Sequence, residues 1–485
     1  MKRMLKPDQK GILMKKRFFV FLSVITVVTT AFAEQTCLTT HPTPEVYDGW
    51  RLGVQTWSFR KFTLFEAIDK TRSLGLNWIQ AYPGQKVSNK ITTTFGPDLS
   101  IEERKQVKEK LNEAGIQIFA FGVVSIPKDE AGSRVIFDFA REMGIPTLVS
   151  EPKADQFDLI DTLCQEYEIK LAIHNHPNPT HYWNPDTVLE MCQGRSKWIG
   201  ACTDVGHWVR SGLDPVECLK KLEGRIHDVH IKEIDKGHDV VWGTGQGRIK
   251  GVFEELHRQG YKGTFSIEYE YNWDNNVPEI RRSTAYFNSV ASALNPTGWM
   301  NMVEGDLSNM DVPGSNWVFH DGELVLDPLQ RGSDIWTKAR YGNFILDMEY
   351  KLDENSNSGV FIRCQNRQWL PWLEVQVLDS FGKPADKHSA GGVFDIVAPK
   401  VNAVKPAGQW NRMTIMADGS LICVVLNGQL VVDVNLDDWA EPHTNPDGTK
   451  NKFDVAYKDL PRSGTICLQD HGGKVWYRNI RVKEL

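Results

Sequence analysis

Five short strings in the first 270 residues end in side chains that bind cations or move protons. Ser150-Glu151-Pro152 follows one apolar run and His174-Asn175-His176 follows the next. Thr203-Asp204-Val205-Gly206-His207, His230-Ile231-Lys232 and Glu268-Tyr269-Glu270 close three more. Each polar group directly follows β-prone apolar residues, the position of a strand end. Glu151, Asp204, His230 and Glu268 together offer one imidazole nitrogen and three carboxylates. That mixed set suits Mn²⁺, Co²⁺, Zn²⁺ or Fe²⁺, so one divalent ion is the expected cofactor. A hydrogen-bond network between loops is the plainer alternative, but clustered acids are costly to bury without a cation. His176 and Lys232 are candidates for acid–base work. His174 and His207 are candidates for substrate contact, with ordinary hydrogen bonding as the alternative for each. Trp57 and Tyr82 would wall such a site, or simply pack.

These groups meet only if the strand ends share one rim. From Trp50 to about Leu294, apolar runs alternate with amphipathic helices, and strand candidates open at Arg51, Leu76, Ile116, Ile145, Ile169, Lys197, Ile226 and Lys262. Ser100–Gly115 reads as a helix with a serine N-cap and Glu103 three residues on. Gly75, Gly115, Gly144 and Gly260 stand where helix C-caps would. Eight strand-then-helix units across residues 50–294 predict a (β/α)8 TIM barrel, whose chemistry sits at the C-terminal ends of the strands. No Gly-x-Gly-x-x-Gly follows the first strand, which removes the main dinucleotide signature.

After Asn295-Pro296-Thr297-Gly298 the texture changes. Residues 295–485 hold short alternating segments, with Asp418-Gly419 and Asn427-Gly428 reading as tight hairpin turns. An all-β jelly-roll sandwich is expected. In Trp372–Asp379, alternation puts Glu374 and Gln376 on one face and Val375 and Val377 on the other. Arg363, Asp379, Gln469, His471 and Arg478 are further polar residues in or beside apolar strands.

The first 33 residues read as an address. Lys15, Lys16 and Arg17 precede the apolar run Phe18–Val28, and Ala31-Phe32-Ala33 supplies small residues for cleavage after Ala33. Residues 34–49 would then link the leader to the barrel. The apolar run is short for a bilayer span, and no small-residue lipobox precedes Cys37, so stable membrane insertion is not expected. Export to the periplasm is. Seven basic residues and one acidic residue lie in this leader, so its removal leaves a net charge near −12. That charge disfavours nucleic acid as a partner. With 41% hydrophobic and 24% charged residues, bulk disorder and a polytopic membrane protein are both excluded. Eight cysteines without a CxxC pair point to buried thiols, and sixteen tryptophans fit either sugar platforms or a β-rich core.

The strings Ser150–Pro152, Thr203–His207, Val229–Glu233 and Ser266–Glu270 resemble the sugar isomerase/epimerase superfamily of xylose isomerase-like barrels. Trp242–Ile249 resembles a Gly-x-Gly segment of its epimerase and inosose dehydratase branches. The resemblance covers residues 50–294 and implies a metal role for Glu151, Asp204, His230 and Glu268. It also implies acid–base roles for Glu151 and Glu268. The endonuclease IV branch needs histidines after strands two and three; here those ends read Gln80-Ala81-Tyr82 and Phe121-Gly122-Val123. A trinuclear DNA site is thereby excluded.

Gly359–Gln365, Trp372–Ser380, Gly391–Ile396, Gln409–Ile415, Leu426–Val431 and Gly464–Val482 keep the order seen in 3-keto-disaccharide hydrolases. That resemblance implies a pocket holding Arg363, Glu374, Gln376, Asp379 and His471, with Asp379 and His471 as candidate catalysts. A ketone at C3 of a glycoside acidifies the C2 proton, so a base can expel the C1 substituent. Water addition to the resulting 2-hydroxy-3-keto-glucal completes net hydrolysis. The two resemblances together imply a secreted enzyme on 3-keto-glycosides, with elimination in the sandwich and metal-dependent hydration in the barrel. The alternatives are a keto-sugar isomerase or epimerase barrel beside a separate hydrolase, or beside a carbohydrate-binding sandwich. A small carbohydrate is the expected partner in every case; oligomeric state is left open.

Overall fold

The computed structural model describes residues 49–485 apart from 296, 329–331 and 367–372. The leader and nearly all of the linker, with Trp372 of the sandwich, therefore lie outside the described residues.

Eight parallel strands close into a barrel. They are Arg51–Gln55, Trp78–Ala81, Gln117–Phe121, Thr147–Ser150, Lys170–His174, Ile199–Asp204, Ile226–Ile231 and Thr264–Ile267. The first and last pair directly, Val54 opposite Ile267. The helices between them start and stop as their sequences dictate. Ser100 and Glu103 form a reciprocal capping box, which satisfies two amides that the helix leaves without partners. Gly115 and Gly144 end their helices at φ 65° and 71°, a left-handed conformation that a Cβ would penalise. Outside the barrel wall, Trp50, Phe253, Phe265 and Phe287 pack as one aromatic group. The indole of Trp50 donates to the Tyr261 carbonyl at 2.8 Å. Burying each of these rings is worth about 1.5–3 kcal/mol.

The second domain is a sandwich of two antiparallel sheets. The smaller runs in the order Met310–Asp311, Ile335–Thr337, Thr465–Leu468, Asn357–Cys364, Leu373–Leu378. The larger contains Phe344–Leu352, Asn411–Asp418, Leu421–Leu426 and Gln429–Asn435. Asn427 and Gly428 form the two-residue turn between its last two strands, with φ 51° and 86°. Positive φ at both positions matches the right-handed twist of a hairpin, which is why Asn-Gly stands there. The neighbouring turn is centred on Gly419-Ser420, since Asp418 already pairs with Leu421.

The larger sheet does not face water on its outer side. Ile345, Met416, Cys423, Val425 and Leu430 join the barrel's hydrophobic core, packing towards the last barrel helix, Val277–Leu294. Tyr286 of that helix donates to the Gly428 carbonyl at 3.3 Å, and Arg481 donates to the Ala293 carbonyl at 2.9 Å. The barrel thus covers one outer face of the sandwich, and the smaller sheet's outer face lies on the side away from it. All seven described cysteines are buried free thiols. No helix among the described residues is long and apolar enough to cross a membrane.

Candidate functional site

Three side chains at the barrel's C-terminal rim aim buried polar atoms at a common centre. Asp204 Oδ2, His230 Nδ1 and Glu268 Oε2 are each buried without a hydrogen-bond partner. His230 Nδ1 lies 2.8 Å from Glu268 Oε2 and 3.9 Å from Asp204 Oδ2. His174 completes a group of four donor atoms lying within 4.8 Å of one another. Buried acceptors left this way cost stability unless a cation joins them, so the donor set fits a divalent ion.

The surrounding residues fix each donor. Asn175 holds the Asp204 peptide from both sides: its Oδ1 accepts the Asp204 N–H at 2.7 Å and its Nδ2 donates to the Asp204 carbonyl at 2.9 Å. Asp204 Oδ1 caps the next helix by accepting the His207 N–H at 2.9 Å, which leaves Oδ2 for the centre. Gln80 Oε1 lies 2.8 Å from His230 Nε2 and also accepts from Ser266 Oγ at 3.1 Å. An acceptor at Nε2 places the ring proton there and turns the Nδ1 lone pair inwards, as a metal-binding histidine requires.

Glu151, expected as the fourth ligand, stands instead behind His174. Its Oε1 lies 3.1 Å from His174 Nδ1 and also meets His176 Nδ1, while His174 Nε2 faces Asp204 Oδ2 at 3.8 Å. The strand-end position is as expected, but the fourth donor in the group is the imidazole and the carboxylate orients it. Burial would raise the Glu151 pKa, yet the two histidine hydrogen bonds hold it down to about 2.

Lys232 is fully buried, with Nζ 3.1 Å from Asp204 Oδ2, 3.4 Å from Glu268 Oε2 and 3.0 Å from Glu270 Oε2. Burial opposes its charge, but these carboxylates outweigh that and raise its pKa. Burial keeps His207 neutral, with a pKa lowered to about 3. Trp57 and Tyr82 meet edge-to-face at 5.0 Å on the opposite wall, and Trp57 Nε1 donates to Glu270 Oε1 at 3.1 Å. His176 lines the same cavity of about 270 Å³, a volume suited to a monosaccharide. Gln80, Glu270 and Arg210 belong to this site without a role expected from sequence. Arg210 pairs with Glu270 at 3.0 Å and with Asp239 at 2.6 Å.

The Trp242–Ile249 loop is held by a carboxylate rather than open to an anion. Buried Glu233 accepts the Gly243 N–H at 3.1 Å and the Gly247 N–H through its other oxygen. A Cβ on Gly245 would stand 2.6 Å from the Ile234 carbonyl and 2.7 Å from Glu233 Cγ. Glu233→Ala is expected to cost about 2–4 kcal/mol, because it strands buried amides. Gly245→Ala should destabilise the same loop by collision. Unchanged melting and unchanged amide exchange at residues 243–247 would refute this lock.

In the sandwich, Glu374 and Gln376 lie on the outer face of the smaller sheet. Three other expected pocket residues have different work. Arg363 adopts φ 55° in a bulge, and its buried guanidinium donates to the Gly342 and Gly419 carbonyls at 3.0 and 2.6 Å. It ties the two sheets' loops together instead of facing substrate. Asp379 Oδ2 accepts the Asn355 N–H at 2.9 Å and so caps a turn. His471 is exposed on the loop before Val475–Glu484. Arg478 pairs with Glu349 at 2.8 Å.

Residues 68–290 match the xylose isomerase-like TIM barrel family, and residues 283–483 match the 3-keto-alpha-glucoside-1,2-lyase-like domain. A 3-keto-disaccharide hydrolase of Bacteroides thetaiotaomicron is 26% identical over 242 residues, covering 41% of this chain and 83% of that protein. An inosose dehydratase of Clostridium perfringens is 26% identical over 136 residues, covering 24% of this chain and 46% of its own length. The chain thus spans about half of that dehydratase. A solved structure of an uncharacterized Parabacteroides distasonis protein is 36% identical, covering 49% of this chain and 97% of that one at a TM-score of 0.42. This chain is a sugar isomerase/epimerase-like barrel of the xylose isomerase type fused to a 3-keto-disaccharide hydrolase domain.

Proposed function

We propose that the chain is an exported enzyme that takes 3-keto-glycosides apart in two steps, elimination in the sandwich and hydration in the barrel. What carries the proposal is the contrast between its two polar clefts. The barrel rim holds three unpartnered donor atoms round one centre, whereas the outer face of the smaller sheet offers the Gln376 and Gln469 oxygens and a lone carboxylate, Glu374.

In the sandwich, loss of the C2 proton and departure of the C1 substituent give a 2-hydroxy-3-keto-glucal. In the barrel, a divalent ion held by Asp204, His230, Glu268 and His174 would polarise the keto and enol oxygens. Glu151 keeps His174 and His176 in place through their Nδ1 atoms, so His176 presents its other nitrogen to the cavity as the proton donor to C2. Glu270 at the cavity wall accepts the proton of the incoming water, while His207, whose Nδ1 accepts from Arg210 at 3.2 Å, contacts substrate. Lys232 balances the carboxylates, and Trp57 with Tyr82 excludes bulk water from one face.

Product analysis of a 3-keto-glucoside with and without chelator tests this. Chelation is expected to leave aglycone release intact while a species one water lighter than the 3-keto sugar accumulates. An isomerised keto sugar, with no lighter species under chelation, would refute the hydratase role.

A further inference from the structure

The smaller sheet's register lines up two rows of side chains on its outer face, the side away from the sandwich core. Trp336 pairs with Cys467, Cys467 with Phe361, and Phe361 with Glu374. These three apolar residues and Cys364 form a cluster separate from the sandwich core, which fixes the row on the outer side. In the next row Gln376 pairs with Gly359, and Gln469 donates its backbone N–H to the Gly359 carbonyl at 2.9 Å. Gly359 makes room on this face for the Glu374 side chain. A Cβ there would stand 2.5 Å from Glu374 Oε1, so the carboxylate leans over the glycine between the two glutamines.

Three acceptors therefore stand side by side on this face. Gln376 and Gln469 are 1% and 5% exposed, and the Oε1 atom of each lacks a hydrogen-bond partner. Gln376 Nε2 donates to Asn357 Oδ1 at 2.7 Å, which fixes the amide orientation and keeps Oε1 as the free end. No described residue donates a hydrogen bond to the Glu374 carboxylate. A set of neighbouring acceptors, with Phe361 and Trp336 in the adjoining row, is complementary to the hydroxyl donors and apolar ring face of a neutral sugar.

We propose that Glu374 is the base that removes the C2 proton in the sandwich, with Gln376 and Gln469 seating sugar hydroxyls over Gly359. This rests on the 3-keto-glycoside function proposed above. The C2–H electron pair becomes the C1=C2 bond, and the C1–O pair leaves with the aglycone. The proton taken by Glu374 passes to the aglycone oxygen, so the step balances without a further reactant.

Burial pushes the Glu374 pKa up to about 7, with Lys452 opposing the shift and Asp334 adding to it. Cys467 across the strands and Tyr457 also face this carboxylate. The base form appears as pH rises through that value, so aglycone release should climb with a limb near pH 7.

The experiment uses the full chain and a chromogenic aryl 3-keto-α-glucoside. Glu374→Gln is expected to lower aglycone release about 10²–10⁴-fold and to abolish its pH limb. Added 2-hydroxy-3-keto-glucal should still be hydrated at the wild-type rate, which verifies that the variant is folded. Asp379→Asn should retain release near wild type. Gly359→Ala should lower kcat more than it raises KM, because its Cβ would stand 2.5 Å from Glu374 Oε1 and displace the base. Release by Glu374→Gln at the wild-type rate would overturn the assignment of the base alone. No release by the wild-type protein would overturn the 3-keto-glycoside function itself.

Discussion

Asp204→Ala and His230→Ala are each expected to strip the divalent ion from the purified protein and to slow glucal hydration about 10³-fold or more. Aglycone release should stay close to the wild-type rate. The expectation follows from which atoms lose a role. Asp204 Oδ2 and His230 Nδ1 point at the centre, so their removal deletes ligands. Each change also leaves a neighbour unpaired, the His207 N–H and Lys232 in one and Gln80 in the other. Retained aglycone release verifies that the protein is folded. Neither change touches the sandwich, whose smaller sheet is formed by strands from Met310–Asp311 onwards. Gln80→Ala provides a graded version: the His230 ring loses the acceptor that sets its tautomer, and metal affinity should fall about 10–100-fold. Elemental analysis after dialysis reads the first effect, and mass spectrometry of the accumulated glucal reads the second. Full metal occupancy in both alanine variants would remove the proposed centre.

The barrel was legible in the sequence because its periodicity and its strand-end residues agree. Asp204, His230 and Glu268 each close an apolar run that can only be a barrel strand, and barrel geometry then forces those ends onto one rim. Side-chain reach was not legible. Glu151 occupies the predicted strand end, yet His174 on the adjacent strand projects between it and the centre. Gln80 was visible only as the lack of a histidine, since its importance comes from a contact 150 residues away. In the sandwich, alternation placed Glu374 and Gln376 on one face but could not say which strands lay beside them. Arg363 misled because the resemblance placed it in the pocket, whereas its positive φ in a bulge sends the guanidinium to the Gly342 and Gly419 carbonyls. Asp379 misled because a carboxylate at a strand end serves a turn as readily as a substrate.

The glucal intermediate is expected to pass between the two sites through solvent. The last barrel helix, Val277–Leu294, packs on Phe344–Leu352, Asn411–Asp418 and Leu421–Leu426, all strands of the larger sheet. Glu374, Gln376 and Gln469 stand on the outer face of the other sheet, beyond the sandwich core. Two packed sheets are about 10 Å apart, so the whole thickness of the sandwich separates the elimination face from the barrel contact. The cavity at the barrel rim is lined by barrel residues alone. Isotopically labelled glucal added during turnover should therefore enter the 3-keto sugar in proportion to its share of the pool. By the same logic, Glu374→Gln and Asp204→Ala proteins mixed in one tube should together convert a 3-keto-glucoside fully to aglycone and 3-keto sugar. Each alone should stop at its own block. Product formed without dilution by external label, or a mixture that fails to complement, would show that the intermediate never leaves the protein. The fusion would then act as a conduit, whereas free exchange makes it a means of keeping the two active sites at equal number and in one compartment.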